Sequence, residues 1–230
     1  MISFLKEKGE LDNTFIVVTA DNGMPFPYAK ANLQEFGTHV PLAISMPNNI
    51  ISKKQVHEPV GLIDIAPTIL ELVNLSGSIA TTGKSLMPIL TQKDHPKHRE
   101  FVLTGRERHT HARPDNLGYP ARAIRTEDFL YVYNFDPDRW PVGDPVPKNP
   151  ENDKRNSVSG FKGLYPGYQD VDASPSKTIV MELENFQDNK SLFNLAFAKR
   201  PQSQLYDIKS DPYCMIDPLS WLVNCMRQFG

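Results

Sequence analysis

Unbroken apolar runs dominate the first part of this chain, and shorter, alternating ones dominate the rest. Positions 15–20 (Phe-Ile-Val-Val-Thr-Ala) and 40–46 (Val-Pro-Leu-Ala-Ile-Ser-Met) are continuous. Continuous β-branched runs of this length suit strands covered on both faces, as in the parallel sheet of an α/β protein. Ahead of them, residues 2–8 are helical in character, with Gly9 as a stop and Asp12-Asn13 as a turn. Ile65, Ile69, Leu72 and Val73 recur at helical spacing behind Asp64, which can cap such a helix, and Pro67 is tolerated in its first turn. Beyond residue 92 the pattern becomes short strands at 101–104, 121–125 and 129–134, the last two joined by the turn 126–128. A helix is expected within 190–199 and one more strand at 204–208. The expected class is α/β, with residues 1–92 as part of an α/β domain and 93–230 as a small antiparallel α+β subdomain.

Composition narrows the functions this fold can serve. The 230 residues carry 25 basic and 27 acidic side chains, so no global field draws the chain to nucleic acid or an anionic membrane. The apolar runs are too short to span a bilayer. No signal-peptide pattern opens the sequence, whose first residues read as the end of a helix already under way. Twenty prolines, concentrated between Pro137 and Pro175, imply long fixed surface loops. Cys214 and Cys225 show neither CxxC spacing nor a nearby His pair, so zinc is not expected, nor is a disulfide.

Chemistry is suggested first at Asp21-Asn22-Gly23, just past the end of a buried strand, where open α/β sheets collect ligands. Asp and Asn offer hard oxygen donors, and Gly lets the backbone turn so that both can point at one Ca²⁺ or Mg²⁺. The tripeptide by itself is more often a plain turn, since these residue types dominate turns for conformational reasons. A second feature is the run 106–113, with three arginines and His109 and His111. It can bind an anionic sugar through charge-assisted contacts, or it can be a solvated basic loop. The His-x-His spacing puts both rings on one face if the segment is extended. Trp140 suits loop anchoring better than sugar stacking.

The longer string TADNGMPFPYAKANLQEFGTHVPLAIS, followed by GLIDIAPTILELVNL and TGKSLMPIL, resembles the sulfatases, and its D-N-G-[IM]-P-F-P form resembles their sulfamidase branch. The resemblance implies the C-terminal part of an alkaline-phosphatase-like sulfatase domain followed by its small C-terminal subdomain. It implies that Asp21 and Asn22 bind calcium, and that Lys30 contacts the sulfate and serves catalysis. His39 falls in a slot where many members carry Arg, and His109 and His111 fall in a substrate-facing loop. Sulfatases use a formylglycine nucleophile made within C/S-x-[PA]-x-R. No cysteine or serine here begins that motif. The chain alone is therefore expected to be inactive, with half a calcium site and the nucleophile in an upstream part.

The expected function is hydrolysis of sulfate esters or sulfamates on a sulfated carbohydrate such as N-sulfoglucosamine. One alternative is a metal-dependent phosphatase or phosphodiesterase of the same superfold, although Asn22 in place of His favours a single oxygen-loving cation. Another is a non-catalytic truncated or glycan-binding fragment. The resemblance suggests a secreted, periplasmic or lysosomal setting. The last dozen residues depart from the family pattern.

Overall fold

The computed structural model describes residues 1–46, 55–145, 167–185 and 190–219. Cys225, much of the proline-rich stretch and most of the last dozen residues lie outside that set. The chain divides into two compact units, residues 1–20 with 41–102, and residues 21–40 with 103 onward.

In the first unit, α1 (Ile2–Glu7) ends at Gly9, whose φ of +71° is the left-handed geometry a helix stop favours. The two apolar runs become β1 (Ile16–Thr19) and β2 (Leu42–Ser45), paired antiparallel from Ile16↔Ser45 to Thr19↔Leu42. This corrects the parallel, doubly covered reading. Among the described residues the ladder gives each strand one neighbour, and Val18 is left 56% exposed.

Asp64 sits at the start of α3 (Ile65–Leu72), but its carboxylate does not cap that helix. It turns back to accept from the backbone N–H of Gly61 (2.9 Å) and across to that of Lys84 (2.7 Å). Arg99 and His98 also bind it, His98 Nε2 at 3.2 Å. One turn on, the buried Thr68 hydroxyl accepts from the N–H of Leu86 at 2.8 Å. A Cβ on Gly83 would lie 2.0 Å from the Ile63 carbonyl, so this position must be glycine for the segment to lie so close. The Asp and Thr of the D-x-x-P-T string therefore clasp the T-G-K-S-L segment that leads into α4 (Met87–Thr91).

The second unit is built on a four-stranded sheet in the order β3 (Phe101–Arg106), β4 (Ala121–Thr126), β5 (Phe129–Asn134), β6 (Ser203–Asp207). The β4–β5 and β5–β6 pairs are antiparallel, and the Thr126 hydroxyl accepts from the N–H of Phe129 to hold the tight turn between β4 and β5. Alternation puts Ala121, Ala123, Leu130, Val132 and Tyr206 on one face, where they pack with Tyr28, Leu33, Tyr119 and Cys214. Between α1 and β3 the helix α2 (Glu35–Thr38) is a single turn.

A second core gathers Val142, Tyr168 and Val171 against Phe193 and Phe197 of α6 (Lys190–Phe197). Trp140 packs edge-on to Tyr168 at 5.9 Å, which makes it a loop anchor. The sequence pattern had not shown α5 (Pro175–Glu182), which begins with the Ser174 hydroxyl accepting from Lys177 N–H at 3.1 Å. The buried Lys177 ammonium gives its three hydrogens to the carbonyls of Gly167, Tyr168 and Val171, at 2.9–3.1 Å.

Candidate functional site

The loop that follows β1 is shaped by backbone touching backbone. The N–H of Gly23 donates to the Gly37 carbonyl at 3.1 Å, and a Cβ on Gly23 would lie 1.9 Å from the Phe36 carbonyl. Gly37 is as tight, since its Cβ would meet the Asn32 carbonyl at 2.2 Å. Glycine at 23 is therefore required by close approach, not by a positive φ. The N–H of Lys30 closes the next stretch onto the Met24 carbonyl at 3.0 Å, with Tyr28 and Ala31 in left-handed conformation.

On this frame Asp21 is exposed and Asn22 half-buried. Asn22 donates its Nδ2 to the Gly23 carbonyl at 2.8 Å, so the amide oxygen is the donor it can offer a ligand. Lys30 does not join them with its ammonium, which pairs with Asp172 Oδ2 at 2.9 Å. Among the described residues no group of three or more His, Cys, Asp or Glu comes together to hold a metal ion. Two hard-oxygen positions suit calcium by donor chemistry and fall short of the six to eight it takes.

His39 carries its ring mostly into solvent, with Nδ1 3.0 Å from Glu35 Oε2. The hydrogen bond to Glu35 raises the His39 pKa, against a smaller opposing effect of burial. Burial works to raise the Glu35 pKa, but the hydrogen bonds from His39 and Arg125 outweigh it and hold the carboxyl below its usual range. Arg125 reaches Glu35 from β4 through Nε at 2.7 Å.

The basic run 106–113 is split by the fold. Arg106 and Arg113, at its two ends, turn inward onto the fully buried Asp170, at 2.8 and 3.0 Å. The stretch between them bends instead of running extended, and Arg108, His109 and His111 are exposed. The extended backbone that would put both rings on one face is not what this segment adopts.

Sequence reasoning missed Asp170, Asp172 and Glu35. The first two bind basic residues at least 57 positions away, and Glu35 binds Arg125 across 90, separations that no local pattern reveals.

Comparison with known proteins sets this geometry in context. The sulfatase family model matches residues 1–75. N-sulphoglucosamine sulphohydrolase of Homo sapiens is 32% identical over 141 residues, which cover 57% of this chain and 27% of that one. A solved structure of a protein in complex with its substrate, D-glucosamine-2-N,6-O-disulfate, matches with a TM-score of 0.54 and 20% identity over 99% of this chain and 34% of its own. A phosphonate monoester hydrolase from Silicibacter pomeroyi matches with a TM-score of 0.50 and 27% identity over 58% of this chain and 29% of its own. The chain thus spans about a third of these relatives' length or less. Residues 1–75 thus match the sulfatase family model, and nearly the whole chain follows the fold of the solved structure bound to the disulfated glucosamine.

Proposed function

We propose that this chain is part of a sulfatase that hydrolyses sulfate esters or sulfamates on a sulfated glycan, with N-sulfated glucosamine as the favoured substrate. The observation that carries the reading is the Asp21-Asn22-Gly23 turn at the end of β1, on a loop closed by its own backbone and bearing Lys30. Asp21 and Asn22 would hold calcium as part of a larger donor set, and bound calcium would neutralise the charge of the sulfate oxygens. Lys30 supplies a second positive charge for that anion. Its pairing with Asp172 holds the ammonium in place before substrate arrives, so the anion competes with a carboxylate for it. His39, His109 and His111 are exposed enough to meet a sugar.

The test joins this chain to an upstream sulfatase half bearing C/S-x-[PA]-x-R and follows sulfate release from N-sulfoglucosamine. Asp21→Asn and Lys30→Ala are each expected to lower kcat/KM by at least tenfold, and the chain by itself is expected to release none. Full activity in Asp21→Asn would refute the calcium role.

The likeness to a phosphonate monoester hydrolase favours a second reading, in which the same turn serves a phosphonate or phosphate ester. Turnover of a phenylphosphonate monoester in preference to the sulfated sugar, with two zinc ions bound, would select it over the first.

A further inference from the structure

We infer that the second unit holds a binding site for a small oxyanion of the sulfate or phosphate type, in a cleft between the 32–34 segment and the inner face of the β4–β5–β6 sheet. The cleft has a free volume of about 20 Å³, is partly open to solvent, and is lined by Arg106, Tyr119 and Arg200 together with the amides of Asn32, Gln34, Asn134 and Gln204.

Arg106, Arg113 and Arg200 are each more than nine-tenths buried, and among the described residues Asp170 is the one carboxylate bonded to any of them. Among the described residues three buried guanidinium charges thus share one bonded carboxylate, and a buried charge without a counter-ion is costly. Carbonyls take some of the donors: Arg106 gives to Ala31 and Pro141, and Arg113 to Trp140 and Pro141. Arg106 Nε, Arg113 Nη1, Arg200 Nη2 and the Tyr119 hydroxyl remain buried without a partner among the described residues. Three of these four groups belong to residues that line the cleft.

Asn134 gives its Nδ2 to the Pro201 carbonyl and to Gln204 Oε1, while Gln204 gives its Nε2 to the Tyr206 hydroxyl, so among the described residues neither of these amides is bonded to the guanidinia or the Tyr119 phenol. Tyr119 lies between two of the arginines, with its ring centre 5.6 Å from Arg106 Cζ and 5.7 Å from Arg113 Cζ, which fixes the planes of both. Water can satisfy a donor but cannot balance charge. An oxyanion does both, and its geometry matches the guanidinium fork. Neither Lys30 nor Asp21 lines this cleft, and the assignment does not rest on the sulfatase reading.

The purified chain is heated in increasing sodium sulfate, and separately sodium phosphate, with ionic strength held constant by sodium chloride. A saturable rise in Tm of several degrees with sulfate or phosphate is expected, in contrast to the linear, non-saturating effect of an excluded salt. Tyr119→Phe, which keeps the ring, should weaken the apparent affinity at least threefold, and Arg200→Gln should abolish the saturable part. Lys30→Ala should leave it unchanged. A rise that chloride reproduces, one that persists unaltered in Tyr119→Phe, or one lost in Lys30→Ala overturns the assignment.

Discussion

Replacing Asp64 with Asn tests whether the clasp in the first unit is held by charge. The carboxylate is fully buried and accepts from two backbone N–H groups, from Arg99 and from His98. Asn keeps one acceptor and turns an NH₂ toward the donors, so about two charge-assisted bonds are lost at ~1.5–3 kcal/mol each. Arg99 is 21% exposed and regains part of that from water, whereas His98 is 3% exposed and does not. The net expectation is a loss of about 3 kcal/mol, at the low end for breaking a buried pair. Urea denaturation of wild type and variant at pH 7 measures it, with Glu100→Gln as control. Glu100 pairs with Lys97 on the surface, and its loss should cost under ~0.5 kcal/mol. Burial works to raise the Asp64 pKa, but the bonds from Arg99, Gly61, Lys84 and His98 prevail and lower it. A depressed carboxyl contributes stability above its unfolded pKa and loses it as pH falls through the folded value. Wild type should therefore lose stability on acidification below about pH 4 more steeply than Asp64→Asn. A variant within ~1 kcal/mol of wild type at pH 7, or one with the same acid slope, refutes the reasoning.

Gly23→Ala should destabilise the chain by about 1–3 kcal/mol, read from the urea midpoint, because its methyl would meet the Phe36 carbonyl. Lys177→Met leaves three buried carbonyls without their donor, and should cost at least ~2 kcal/mol and hasten proteolysis around residues 167–171. The raised His39 pKa means its pairing with Glu35 is complete below the ordinary imidazole pKa of about 6.5 and lost as pH rises through the folded value. The melting temperature of wild type should fall slightly over that window, and that of His39→Gln should not.

What the chain announces locally, the structure largely keeps. The β4 to β5 hairpin, the helix near 190–199 and the strand at 203–207 follow from alternation and turn chemistry acting over a few residues. The run 15–20 was legible as a strand but not in its partner, because apolar content reports how much cover a strand wants and not the direction of its neighbour. Asp64 was legible as a helix boundary, while the target of its carboxylate lies 20 to 35 residues downstream. The same limit applies to Lys30. Its place on the loop could be read, but Asp172, 142 positions away, could not.

The close backbone packing at Gly23 and at Gly37 also bears on how this loop can vary. Its path is set where main chain meets main chain, so the side chains it displays contribute little to its shape. Met24 and Phe26 stand exposed on that frame. They are the positions where a library of substitutions would change the surface the loop presents while leaving its course intact.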